Sequence, residues 1–243
     1  MKLYVSTSDQ YIHLMKPFMF LLEKFWKPLP ETIVLGYTPP NFELPNATFV
    51  SLGDPDVKEW TTGLYNYFNS LESNDPIIYT LDDCFVVGPE QINTDIISKL
   101  VELVSNNADI GRINISNDLI GNNVKQSELE FPQSLIELTD DADWRISTSI
   151  SIWNKDYLVK NLKPGWTPWQ FEVEGSKQAK NDGFRIMGTN YPYLTYYSNG
   201  IDRHAGFNTL DFRFWKGGGK LSPDYIQEML DKKIISEDLR ILY

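Results

Sequence analysis

The chain has 243 residues, 42% of them hydrophobic and 14% aromatic, enough apolar material for one large α/β domain with a substantial core. Its formal net charge of −11 disfavours broad adhesion to nucleic-acid phosphates or anionic lipid, both of which depend on clustered Lys and Arg. The single cysteine, Cys84, excludes an internal disulfide and any thiolate metal cluster.

No apolar run reaches the roughly 18 to 20 residues that span a bilayer, so no integral membrane segment is expected. Met1-Lys2-Leu3-Tyr4-Val5 turns polar at Ser6, short of the apolar stretch of an export signal. The expectation is a cytoplasmic protein, or one of the host cytoplasm if viral. The richness in Asn, Ile, Lys and Ser suits an AT-rich genome of either kind.

In chain order, the first half alternates short β-rich runs with longer amphipathic ones, the pattern of helices covering a mostly parallel sheet. Leu3 to Thr7 reads as a strand, and Tyr11 to Trp26 as a helix stopped by Lys27-Pro28-Leu29-Pro30. Thr32 to Tyr37 and Ala47 to Leu52 are further strands, separated by Pro39-Pro40-Asn41. Val57 to Leu71 reads as a helix feeding Ile77-Ile78-Tyr79-Thr80-Leu81, an apolar run suited to a central strand. A helix over Ile92 to Ser105 and a strand over Ile110 to Ile115 continue the alternation.

After residue 117 the pattern weakens. Asn117 to Glu130 reads as a long loop, Trp144 to Trp153 as a strand, Asn154 to Leu162 as a short helix, and Trp166 to Gly188 carries a helix-like spacing. A last helix is expected near Pro223 to Lys232. The shift divides one domain, residues 1–243, into a nucleotide-binding half (1–116) and an acceptor-side and C-terminal half (117–243).

Open α/β sheets bind ligands at the carboxyl ends of their strands, which draws attention to Ser6, Thr7 and Asp9 and to Asp82-Asp83. Two carboxylates ending a buried strand suit a hard divalent cation, Mn²⁺ or Mg²⁺, which in turn neutralises a diphosphate leaving group. Successive strand residues point to opposite faces, so both can approach one ion only if the strand ends before them.

Several blocks then fall in a telling order: Tyr4-Val5-Ser6-Thr7-Ser8-Asp9-Gln10-Tyr11, Trp60-Thr61-Thr62-Gly63-Leu64 and Ile78-Tyr79-Thr80-Leu81-Asp82-Asp83. Ser151-Ile152-Trp153-Asn154-Lys155-Asp156-Tyr157-Leu158 and Pro168-Trp169-Gln170-Phe171-Glu172 follow. Together they resemble a family of GT-A nucleotide-sugar glycosyltransferases. The resemblance implies a GT-A, Rossmann-like, mostly parallel central sheet flanked by helices, with a smaller acceptor-side region. It implies a donor that is a nucleoside diphosphate sugar, in particular a UDP-sugar, and transfer to a hydroxyl acceptor by an enzyme of the hexosyltransferase class.

On that resemblance, Ser6, Thr7, Asp9, Trp60 and Asp82 serve the donor, Asp83 the metal, and His204 is a third ligand; Arg203 and Lys216, basic groups near Gly217 to Gly219, are expected to reach the diphosphate. The familiar motif is Asp-any-Asp; this chain has Leu81-Asp82-Asp83 or Asp82-Asp83-Cys84 instead. Inverting transfer needs a carboxylate to take the acceptor's proton, and Glu172 is the choice, with Asp143 and Glu174 in reserve. Trp169 and Phe171 beside it offer an apolar wall and a face for a sugar, and Trp144, Arg145 and Trp153 are placed toward the acceptor. His13 reads as structural.

The expected acceptor is a surface glycan or, if the protein is viral, hydroxymethylated DNA. Nucleotidyl transfer on a similar sheet and an inactive carbohydrate-binding relative are the alternatives. The former calls for a Gly-rich basic segment after the first strand, which Ser6-Thr7-Ser8-Asp9 lacks.

Overall fold

Short runs of β-branched, aliphatic and aromatic residues form the inner strands, buried along nearly their whole length as expected of a parallel sheet covered on both faces. In the computed structural model these are β1 (Lys2–Ser6), β2 (Glu31–Gly36) and β4 (Ile77–Leu81), while β3 (Ala47–Ser51) is a partly exposed strand at the sheet's edge. The structure describes residues 1–53, 57–89, 91–116, 118–119, 122–189, 193–197, 209–211, 215–216, 221–237 and 240–242. For 57, 197, 209, 211, 215–216 and 240–242 the description covers the backbone alone.

Further along come β5 (Phe85–Gly88), β6 (Ile110–Asn114), β7 (Val124–Gln126), β8 (Leu135–Leu138), β9 (Ser151–Trp153) and β10 (Arg185–Thr189). Nine strands join one sheet in the order β3-β2-β1-β4-β9-β6-β10-β8-β7. The pairs β1·β2, β2·β3, β1·β4 and β6·β10 are parallel, while β9 and β8 run against their neighbours. The result is a mixed α/β fold with a mostly parallel central sheet. Because β9 lies between β4 and β6, strands from both sequence halves interleave in that sheet.

Strand alternation splits the core in two. Leu3 and Val5 of β1 point with Val34 and Ile78 into one cluster, covered by α1 (Met15–Phe25) through Phe18, Leu21 and Leu22. Tyr4 points the other way with Ile33, Leu35 and Tyr79, and α2 (Trp60–Ser70) covers this face through Trp60, Leu64 and Phe68. Phe68 meets Tyr4 edge to face at 5.3 Å. Fully burying one such side chain stabilises the fold by about 1.5–3 kcal/mol.

The first face is completed by α3 (Thr94–Asn106), and the second by α4 (Lys155–Asn161) and α5 (Pro168–Gln178). Each start has a cap: Asn93, Asn154 and Thr167 accept from the backbone three residues on, and Thr167 with Gln170 completes a capping box. β6 and α4 approach so closely that a Cβ at Gly111 would sit 2.6 Å from the Tyr157 ring. A three-stranded sheet of β5, β11 (Thr195–Tyr197) and β13 (Trp215–Lys216) lies beside the main one. A pair, β12 (Thr209–Asp211) and β14 (Arg240–Leu242), and α6 (Pro223–Asp231) complete the chain.

The main departures from the sequence reading fall after residue 117. The strand expected over Trp144 to Trp153 is only β9, and residues 144–150 form an irregular segment, buried or half-buried apart from the exposed Trp144. The helical spacing of Trp166 to Gly188 resolves into α5 followed by β10. β5, β7 and β8 carry too few residues for periodicity to reveal them. Among the described residues, no helix is long and apolar enough to cross a membrane.

Candidate functional site

Strand order reverses at β1: the chain runs outward through β2 and β3, then returns to place β4 on the other side of β1. Ligands of open α/β sheets bind in the crevice beyond the strands' carboxyl ends at such a switch point. A cleft of about 1080 Å³ lies there. Ser6 and Thr7 enter it from β1, and Asp82 and Asp83 from β4. β4 ends at Leu81, and the Cys84 amide donates to the Leu81 carbonyl at 3.2 Å, so both aspartates sit in a turn rather than on opposite faces of a strand.

The two strand ends are tied together. The Asp82 amide donates to the Ser6 carbonyl at 3.1 Å, and the Thr7 hydroxyl to Asp82 Oδ2 at 2.5 Å. The Trp60 indole N–H donates to Ser6 Oγ at 3.2 Å. Asp9 accepts from the Thr38 amide and hydroxyl at 2.9 and 2.7 Å, linking the loop after β1 to the loop after β2. Asp82 and Asp83 are both buried, at 6% and 5% exposure.

The opposite wall is the irregular segment 144–149 with α5. Backbone groups of a buried segment outside a sheet need side-chain partners. Two arginines with no measurable exposure provide them. Arg112 of β6 donates to the Trp144 and Ser147 carbonyls at 3.3 and 3.1 Å. Arg145 donates to the carbonyls of Ala179 (2.7 Å), Thr139 (3.0 Å) and Phe184 (2.5 Å). Asn114, two residues beyond Arg112 and on the same face of β6, donates to Ser149 Oγ at 2.8 Å. From α5, Ser176 Oγ bridges the amide and carbonyl of Ile146.

That wall holds Glu172. Its Oε1 accepts from the Thr148 amide (2.7 Å), the Thr148 hydroxyl (2.8 Å) and the Ser147 hydroxyl (3.2 Å). Oε2 accepts from no described residue, and the half-buried side chain lines the cleft. Helical spacing sets Trp169 one turn before Glu172 on the same side, while Phe171 turns inward onto Trp60 and Trp153. Phe171 is therefore core rather than a wall of the site.

Acid dominates the lining. Asp9, Asp82, Asp83, Asp118 and Glu172 face a single cation among the described residues, Arg112. No carboxylate lies within ion-pair distance of Arg112 among the described residues; its guanidinium sits 5.3 Å from the Trp153 ring centre. Desolvation pulls its pKa down to about 10, so it stays charged at neutral pH. Tyr196 donates to Asp118, and burial, then Asp118, pushes its phenol well above the usual value. Burial, then Asp83, does the same to the Cys84 thiol. Asp83 and Asp118 both line the cleft and both bear electrostatically on Cys84 and Tyr196. Among the described residues no three His, Cys, Asp or Glu side chains gather closely enough to hold a metal by themselves.

Of the residues singled out from sequence, Ser6, Thr7, Asp9, Trp60, Asp82, Asp83, Trp144, Trp169 and Glu172 line one cleft. Arg145 and Trp153 do not. Arg145 spends its donors on backbone carbonyls and on the Asp182 carboxylate, and Trp153 is sealed between Tyr157, Phe171 and Arg112, so neither is placed to meet an acceptor. Asp143 and Glu174 turn outward to pair with Lys180 and Lys177. His13 precedes α1 in a short 3₁₀ turn, away from the lining. Arg203 and His204 lie outside the described residues, as does the side chain of Lys216. Sequence reasoning missed Arg112, Asp118, Thr148 and Tyr196. Only Arg112 left a signal: with Asn114 it puts polar residues at alternate positions of an otherwise apolar strand.

No family model matches the chain, and no curated protein matches it. Among solved structures, a UDP-glucose pyrophosphorylase complexed with UDP-glucose is 12% identical, with a TM-score of 0.44 over 85% of this chain and 95% of its own. A 4-diphosphocytidyl-2C-methyl-D-erythritol synthase is 10% identical, with a TM-score of 0.41 over 77% of this chain and 88% of its own. The glycosyltransferase GlyE of Streptococcus pneumoniae TIGR4, in its apo form, is 11% identical, with a TM-score of 0.41 over 76% of this chain. This chain spans only 44% of that structure.

Proposed function

We propose that the protein is an inverting glycosyltransferase that moves a sugar from a nucleoside diphosphate sugar, a UDP-sugar first among them, to a hydroxyl acceptor. The observation that carries this reading is Glu172: one oxygen held by three donors, the other with no partner among the described residues, on a side chain that lines the cleft at the sheet's switch point. A carboxylate so fixed is oriented before the acceptor arrives.

In the proposed step the acceptor oxygen attacks the anomeric carbon and gives its proton to Glu172 Oε2. The bond from that carbon to the diphosphate breaks, and its electron pair leaves on the diphosphate oxygen. Ser6, Thr7 and Trp60 line the donor end, where Thr7 also orients Asp82. Asp83, with Asp82 beside it, would hold Mn²⁺ or Mg²⁺, which supplies charge neutralisation for the departing diphosphate. Nucleotidyl transfer fits less well, because the loop from Thr7 to Tyr11 offers a triphosphate no Lys or Arg.

The test is UDP release from a panel of UDP-sugars with Mn²⁺, comparing the wild type with Glu172→Gln. Loss of the base should lower turnover by about 10² to 10⁴-fold, while a thermal shift with UDP and Mn²⁺ is retained. Equal turnover in the two proteins would overturn Glu172 as base, and no shift with any nucleoside diphosphate would overturn the donor class.

A further inference from the structure

Exposed tryptophans need no explanation singly. Two of them stand in the lining of this cleft, Trp144 at 48% exposure and Trp169 at 57%. Both are on rigid supports. Trp169 follows Pro168 in the first turn of α5, fixed by the Thr167–Gln170 capping box. Trp144 has a φ of 60°, a left-handed conformation that costs an L-residue about 1–2 kcal/mol. Its carbonyl is held by Arg112, and the next two residues are pinned by the Arg145 guanidinium and by Ser176. The fold thus holds Trp144 in a strained backbone conformation and leaves its indole in the open, an arrangement that packing alone does not call for.

The surroundings select the partner. An indole face is electronegative and meets the weakly positive C–H face of a sugar ring. Five carboxylates against one arginine in the described lining, within a chain of net charge −11, disfavour an acidic acceptor at this mouth, because unlike the donor's diphosphate it brings no divalent cation to offset them. Duplex DNA carries about one negative charge per 1.7 Å of axis and would be repelled along its length.

We propose that Trp144 and Trp169 form an acceptor subsite for an uncharged pyranose of an oligosaccharide, and that nucleic acid and acidic glycans are excluded from it. The word acceptor rests on the transfer reaction proposed above; the binding does not, and is tested without donor. The full-length protein is titrated with cellotetraose, tetra-N-acetylchitotetraose, tetragalacturonate and a hydroxymethylcytosine duplex, reading tryptophan emission and calorimetry at low salt.

At least one of the two neutral tetrasaccharides should bind. Trp144→Ala and Trp169→Ala should each weaken that binding by about tenfold with an unchanged far-UV spectrum. Tetragalacturonate and the duplex should bind at least about tenfold more weakly than the neutral sugar. Binding of either anion more tightly than the neutral sugars, neutral binding unaffected by both substitutions, or no neutral binding overturns the proposal. A parallel thermal shift with UDP and Mn²⁺ separates the two claims. Its absence beside intact saccharide binding removes the donor reading alone, and its presence without saccharide binding removes this subsite alone.

Discussion

Arg112→Met is the sharpest perturbation of the wall that carries Glu172. The substitution keeps much of the aliphatic bulk and removes the guanidinium. Two partly buried carbonyls, of Trp144 and Ser147, lose their donor at a cost of about 2 kcal/mol each. The contact with the Trp153 ring contributes about 1 kcal/mol more. Against this, the native fold disfavours the charged form: the fall of the Arg112 pKa from 12.5 to about 10 corresponds to about 3 kcal/mol, which methionine relieves. The net expectation is a loss of about 2 kcal/mol. For a chain of this size that lowers Tm by about 4 to 8 °C. Urea and thermal unfolding measure it, and hydrogen exchange over residues 144–149 should speed up in the variant. A methionine variant as stable as the wild type, with unchanged exchange, would refute the idea that this guanidinium holds the wall.

Two further outcomes follow from the same geometry. Glu137 in β8 is bonded by Arg185 and Ser127 and lies 3.6 Å from Lys125. Burial raises its pKa, but the Arg185 and Ser127 hydrogen bonds outweigh that and hold it below the ordinary carboxylate value. A depressed carboxylate stabilises the fold fully above its unfolded pKa and loses that contribution as pH falls through the folded value. Glu137→Gln should therefore cost about 1–2 kcal/mol at pH 7, discounted for the partly exposed Arg185, and progressively less below about pH 4. A cost independent of pH between 7 and 3 contradicts the pairing. Cys84, at 6% exposure with its thiol pushed well above the ordinary value, should resist iodoacetamide at pH 8 and react on unfolding. Labelling of the native protein at the rate of a free thiol shows that this corner of the cleft is open.

Local signals located most of the first half. Continuous apolar runs such as Ile77 to Leu81, short and rich in β-branched residues, suit strands buried on both faces, and Leu14, Phe18, Leu21, Leu22 and Phe25 recur at helical spacing. The ends of β1 and β4 are therefore legible, and so are Ser6, Thr7, Asp82 and Asp83, because ligand sites of such sheets lie at strand ends. Glu172 and Trp169 were reached through the resemblance of the block from Pro168, and the structure puts both in the same cleft.

The alternation of strands and helices, the acidic character and the position of the paired aspartates are all legible along the chain, because each depends on near neighbours in sequence. Which arginine, tryptophan and carboxylate share a wall depends on contacts between distant parts of the folded chain. Arg112 and Arg145 look alike in a one-dimensional reading, yet one lines the cleft and the other supports the loop behind it. Trp144 and Trp153, both expected to face the acceptor, part company because the chain between them is irregular: one indole is left in the open and the other is sealed in the core. Irregular segments have no period. Their backbone partners come from strands and helices up to 35 residues away, and that pairing exists only once the chain has folded.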